Sequence, residues 1–277
     1  MKIIALDSSG LVASAAILND DIVIAEYSVN FKRTHSETLL PMLDEIMRMT
    51  EQDISEADAV AVAAGPGSFT GLRIGSATAK GLGLALDIPV IAVPTTEGLA
   101  YNLWGAAGLI CPLMDARRHQ TYTGIYAFDA DGAICELREA CAVDVNEIFS
   151  DLNERKEPVT FLGDGVPVFF QDIKSKVNAK WRIAPQHQNR QRAASVGVAA
   201  FYRAMEGKTG SADMHRPEYL RLSQAERERM EAERAKASAE GRAERECAGT
   251  VEAEQAHTKT NSGEKDRAGA DPAEIQR

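Results

Sequence analysis

Gly65-Pro66-Gly67-Ser68-Phe69-Thr70-Gly71-Leu72-Arg73-Ile74-Gly75 lies between a short apolar run, residues 59–64, and a stretch of helical character, residues 68–86. A glycine-rich turn leading from a strand into a helix is a place where backbone amides can receive an anion. The spacing argues against that use. Counted from Gly65, the sixth place is Thr70 and the seventh is Gly71, which fits neither GxxxxGK[ST] nor GxGxxG. What recurs instead is Gly71, Gly75, Ala79 and Gly83, four residues apart and stacked along one helical face. Each glycine inside a helix costs about 1 kcal/mol relative to alanine, so three on one face imply a compensating close approach. Either the protein's own sheet or first helix fills this groove, or another chain does.

The preceding helix favours the second reading. Thr34-His35-Ser36-Glu37 has the form of a capping box, with Thr34 as N-cap, and predicts a helix over 35–50. Pro41 is expected to kink its second turn or to mark a later start. At the helical period, Met49, Met42, Ile46, Leu39, Leu43, Met47 and Leu40 spread over about 180° of arc, wider than the stripe a helix on a single core needs. Met42 and Met49 at the margin suit an adaptable contact surface. The expected partner interface is therefore Leu39, Met42, Leu43, Ile46 and Met49 on the first helix with Gly71, Leu72, Gly75, Ala79 and Gly83 on the second. Replacing Gly75 by Leu is expected to abolish assembly while leaving the isolated chain folded.

Around these helices, residues 3–6, 11–18 and 22–29 are Val-, Ile- and Ala-rich runs separated by turn-forming residues, a three-stranded meander. Strands at 59–64 and 90–93 alternate with the helices, which gives an α/β unit with a mixed sheet. After a helix at 97–104 come strands at 109–114, 121–128 and 134–142, a strand at 159–162, a helix from Val166 and a last helix near 193–206. Two units opening alike suggest a structural repeat, divided as 1–104 and 105–222, with the last helix of the second expected to pack back on the first. Residues 223–277 hold only Met230, Val251 and Ile275 as large apolar residues beside 10 basic and 13 acidic ones, and read as a charged, largely disordered tail.

Composition bounds the chemistry. The chain has 277 residues, 44% hydrophobic and 26% charged, values typical of folded proteins. Its formal charge is -10, and 21 basic against 28 acidic residues in 1–222 leave the folded part acidic too, so it is not expected to grip nucleic acid unaided. Neither a signal-peptide core nor a membrane span is read, and a cytoplasmic location is expected. Cys111, Cys135, Cys141 and Cys247 form no CxxC pair and are expected to be reduced packing residues. Histidines at 35, 119, 187, 215 and 257 give no HxxxH or HExxH pair, which argues against a self-contained metallopeptidase and predicts no metal site. His35, at a helix N-terminus, is expected to be a neutral local hydrogen-bonder. Asp7, Ser8 and Ser9 at a strand end, Gly67 and Ser68 in the glycine loop, and Arg117 and Arg118 on a turn are the candidates for nucleotide or anion contact, with turn formation and solvated arginines as the plainer explanations.

Taken together, Ala5-Leu6-Asp7-Ser8-Ser9, His35-Ser36-Glu37, the stretch 65–75, Met114-Asp115-Ala116-Arg117-Arg118, Gly163-Asp164-Gly165 and Pro217-Glu218-Tyr219-Leu220-Arg221 resemble the TsaB, or YeaZ, family over residues 1–222. The resemblance implies the actin, Hsp70 and sugar-kinase (ASKHA) fold, with two subdomains each built on a mixed β-sheet flanked by helices. It also implies a non-catalytic accessory subunit in the formation of N6-threonylcarbamoyladenosine in tRNAs that read codons beginning with adenine. Such a subunit docks through its first two helices on a TsaD transferase, which uses threonylcarbamoyl-AMP, with a TsaE ATPase joining the complex. In isolation it pairs as a homodimer through the same face, and it meets tRNA only indirectly. No intrinsic cofactor is implied, although ATP or ADP could sit at the complex interface. An autonomous ATPase or sugar kinase of the same fold is the alternative reading.

Overall fold

The computed structural model describes residues 1–31 and 33–221. The tail expected at 223–277, with Cys247, lies outside the described residues. In the first half, strands β1 (Lys2–Asp7), β2 (Ala13–Asn19), β3 (Ile22–Val29), β4 (Ala59–Gly65) and β5 (Val90–Pro94) form a sheet of order β3-β2-β1-β4-β5. β1 pairs antiparallel with β2, Leu6 opposite Ala15, and parallel with β4, Leu6 beside Val62. The interior strands are apolar on both faces because helices cover both. Alternation sends Ile4 and Leu6 to one side, against α1 (His35–Thr50) and α2 (Phe69–Leu86). Ile3 and Ala5 go to the other, against α6 (Ala193–Met205), which returns from the far end of the chain to cover β1, β2 and β4.

The second half repeats this plan. β6 (Leu109–Asp115), β7 (Gln120–Phe128), β8 (Ile134–Asp144), β9 (Val159–Leu162) and β10 (Trp181–Ile183) give the order β10-β9-β6-β7-β8. In each sheet the first three strands form an antiparallel meander, and the fourth lies parallel to the first with the fifth outside it. This doubled mixed sheet, with helices on its faces, is the ASKHA arrangement. α4 (Val145–Arg155) and α5 (Val166–Lys176) close one face around Phe149, Phe161 and Phe169. On the other face, α3 (Thr95–Tyr101) packs Leu99 and Ala100 against Ile110 and Tyr126.

Local differences from the expected pattern have physical reasons. β2 begins at Ala13, because Leu11 sits in the turn at 70% exposure. α1 starts at His35 and carries Pro41 inside it, so the later start is not taken. The capping box is not formed: Thr34 is the N-cap but its side chain caps nothing. The start is pinned instead by His35, whose Nε2 donates to the Gly10 carbonyl at 2.9 Å, and by the Thr38 hydroxyl, which donates to the Thr34 carbonyl. Cys111, Cys135 and Cys141 are free thiols, and burial pushes Cys111 up to about 12, out of reach of thiolate chemistry.

Candidate functional site

The parallel strands β1 and β4 end side by side, which places the Asp7-Ser8-Ser9 turn against the glycine loop. The Ser68 amide donates to the Ser9 carbonyl at 2.7 Å, and the Ser8 hydroxyl donates to the Gly71 carbonyl at 2.9 Å. A methyl group on Gly67 would overlap the Ser9 carbonyl oxygen, and one on Gly71 would overlap that of Ser8. Gly75 faces the same turn, where its Cβ would stand 2.5 Å from Ser8 Oγ. The glycines are required because the helix start lies directly on the backbone of the first turn. Ser68 caps that start, its hydroxyl accepting from the Gly71 amide at 3.3 Å.

Asp7 is buried and its Oδ1 accepts from both the amide and the hydroxyl of Ser9, at 2.9 and 2.7 Å. Desolvation pushes its pKa up to about 6, against the lowering effect of the Ser9 hydrogen bonds and of His35 nearby. Of the residues expected to contact a nucleotide or anion, Asp7, Ser8, Ser9, Gly67 and Ser68 are thus brought together, Ser9 bonding both Asp7 and Ser68. Arg117 and Arg118 are not joined to them by any hydrogen bond among the described residues. These two occupy the β6–β7 turn with φ of 65° and 54°, and His119 follows at 60°. The Arg117 amide donates to Asp115, while His119 lies between Asp144 at 3.2 Å and Asp172 at 3.4 Å.

The closing motif completes the junction. The Glu218 amide donates to the Ala64 carbonyl at 2.7 Å, and any side chain on Gly65, with φ of 130°, would overlap the Glu218 carbonyl. The Tyr219 ring lies 4.8 Å from that of Phe69, and Arg73 stacks over Phe69 at 3.9 Å while its Nε donates to the Tyr219 hydroxyl. Arg221 then donates to the Ala116 carbonyl at 2.6 Å, next to the strained turn of the second sheet. Residues 216–221 therefore tie the glycine loop to the β6–β7 turn.

The expected interface residues need correction. Leu39, Met42, Leu43, Ile46, Gly71, Leu72, Gly75, Ala79 and Gly83 are all buried within the chain, the helix pair resting on its own sheet. Gly71 and Gly75 meet the Ser8 turn, and a Cβ on Gly83 would lie 2.7 Å from that of Ala212. The small-residue groove is filled from inside, and Leu at position 75 would disrupt the fold rather than assembly alone. Met49 remains outside, 68% exposed.

A second stripe went unread in the sequence. Ala77, Gly81 and Ala85 also recur every four residues, and all three are exposed; a Cβ on Gly81 would meet nothing. Leu84 stands beside them at 57% exposure. Met49 lies about 40° around α1 from His35, whose ring would stand 3.3 Å from a Cβ on Gly71. The exposed face of α2 thus carries a strip of small and apolar residues, and Met49 is an exposed apolar side chain on α1. The signal was the same spacing of four, offset by two residues from the stripe that was read.

With this geometry in place, comparison with known proteins gives a consistent result. The family model described as TsaD, tRNA N6-adenosine threonylcarbamoyltransferase, matches residues 23–229. The tRNA threonylcarbamoyladenosine biosynthesis protein TsaB of Bacillus subtilis is 37% identical over 244 residues, 84% of this chain and 100% of the relative. TsaB of Escherichia coli is 34% identical over 134 residues, 48% of this chain and 58% of the relative. Among solved structures, YeaZ from Pseudomonas aeruginosa superposes with a TM-score of 0.66 at 24% identity, covering 79% of this chain and 99% of that one, which speaks for the fold.

Proposed function

The chain belongs to the TsaB family, and on that premise we propose that it serves as an accessory subunit in the formation of N6-threonylcarbamoyladenosine in tRNA, in the cytoplasm. It docks on a TsaD-type transferase and holds it in its active arrangement, with a TsaE-type ATPase joining the complex and threonylcarbamoyl-AMP as the donor. The transferase does the chemistry.

The observation that carries this reading is the outer ridge of the helix pair. Ala77, Gly81 and Ala85 let a facing helix approach closely, Leu84 supplies apolar area beside them on α2, and Met49 is exposed on α1. We assign the partner interface to this ridge, the deeper residues of both helices serving as its support. The same surface would accept a second copy of the chain when no partner is present. The site chemistry agrees with an accessory role: Asp7, at the place where a catalytic carboxylate would stand, is occupied with Ser9.

A reconstituted assay tests the proposal. With the transferase, the ATPase, tRNA and threonylcarbamoyl-AMP present, the modified nucleoside should form only when this chain is added, and the chain with tRNA and donor alone should form none. Full modification by the transferase and ATPase without the chain would refute the role.

A further inference from the structure

A pocket of about 420 Å3 opens between the flank of α2 and residues 213–219. Arg73, Ser76 and Lys80 line one wall, and His215, Arg216 and Tyr219 the other. Among the described residues no carboxylate lines it, in a chain of formal charge -10. Asp213 and Glu218 belong to the same segment but do not line the pocket; Asp213 contributes its backbone carbonyl, which accepts from Lys80 Nζ.

Arg73 and Lys80 are held in place, while Arg216 is exposed. Arg73 is fixed by the Phe69 ring and by Tyr219, which engage its plane and its Nε. Its two terminal nitrogens have no hydrogen-bond partner among the described residues, and neither has the Arg216 guanidinium. His215 Nε2 lies 3.1 Å from Ser76 Oγ. Burial, and after it the neighbouring Lys80, press its pKa down. Two guanidiniums and an ammonium around a cavity with an aromatic wall are the donor set that recognises phosphate, which arginine can bind through two parallel hydrogen bonds. Basic groups interleaved with an aromatic ring also suit a nucleic-acid backbone.

We propose that this pocket is a phosphoryl-binding site, taking a phosphate group carried by a free nucleotide or by the backbone of the tRNA. The tRNA source rests on the function proposed above; the nucleotide source does not. The pocket opens beside the docking ridge, so a phosphate held there would lie at the edge of the assembled complex.

Two titrations separate the sources. ADP is titrated into the isolated full chain, and labelled tRNA into the complex with the transferase, each with wild type, Lys80→Gln/Arg216→Gln, and a charge-matched control, Lys174→Gln/Lys180→Gln, on exposed positions of the second half. Arg216→Gln alone is included because the Arg216 side chain makes no hydrogen bond or ion pair among the described residues. The pocket variants should weaken at least one ligand about tenfold for the double and threefold for the single, with the control unchanged. Loss of ADP binding identifies the nucleotide. For tRNA, the slope of log affinity against log salt should fall by about 1.5 for the double variant, as two phosphate contacts require. Pocket and control variants behaving alike with both ligands would overturn the proposal. So would wild-type binding of ADP by a double variant that no longer enters the complex, since the pocket would then be a contact for the partner's carboxylates. Failure of the wild-type complex to form or to modify tRNA counts against the proposed function, and the ADP titration still decides the pocket.

Discussion

Gly71 and Gly81 belong to one helix, the first buried and the second exposed, and the structure gives them opposite expectations. A methyl group at 71 would overlap the Ser8 carbonyl, backbone that cannot turn aside, whereas at 81 it would meet open space. Gly71→Ala should therefore cost about 3 kcal/mol or more through overpacking, and Gly81→Ala should gain about 0.5 to 1 kcal/mol from helix propensity. Urea denaturation of both variants checks the pair, and equal effects would mean that α2 does not rest on the first turn. Asp7 gives a second residue-scale expectation. Its pKa is raised from 3.8 to about 6 by burial, so the folded state holds a proton that the unfolded chain has already released. Its contribution to stability is then greatest below about 4 and is lost as pH rises through about 6. Asp7→Asn keeps an acceptor for Ser9 and should flatten that part of the stability profile, measured as denaturation midpoint against pH. At this scale the sequence was informative about identity and weak about role. The Gly-Pro-Gly-Ser stretch announced a special backbone, but only coordinates reveal that the Ser8 and Ser9 carbonyls fill the space where an anion would go.

Among the elements, the meander, α1, α2 and the strands beside them were legible because apolar runs of period two and of helical period are separated by strong turn residues. α4 and β10 were missed. α4 buries only Val145, Ile148, Phe149 and Leu152 among polar neighbours, and β10 is three residues long with none fully buried, so neither has a period a reader can follow. The wide apolar arc of α1 was read correctly as belonging to two neighbours, yet both lie within the chain: its own sheet and α2. The segment 216–221 has no regular structure and acts as a strap through Tyr219. Tyr219→Ala should remove the Phe69 pair and release Arg73, lowering stability by about 1 kcal/mol. Thermal melting reads this, and an unchanged melt would mean that the strap is held by its backbone bonds alone.

The described residues follow one plan used twice, five strands in the same order in each sheet, with α6 returned to the first sheet. The repeat can be sensed from two meanders in succession, and a return of the last helix to the first subdomain is expected with it, but which strands α6 covers is not legible, because an Ala- and Val-rich helix carries no label for the strands beneath it. The distribution of charge has the same character. An acidic total hides a local basic pocket, which sequence arithmetic averages away. Among the residues left exposed on α1 and α2 are Ala77, Gly81, Leu84, Ala85 and Met49, and the proposed function depends on them. The most direct test is the affinity of the TsaD-type transferase for this chain, measured by titration calorimetry with wild type, Met49→Glu/Leu84→Glu and, as control, Leu137→Glu on β8. The ridge variant should melt as wild type does yet bind at least tenfold more weakly, with the control unchanged; wild-type affinity in the ridge variant would contradict docking through these helices.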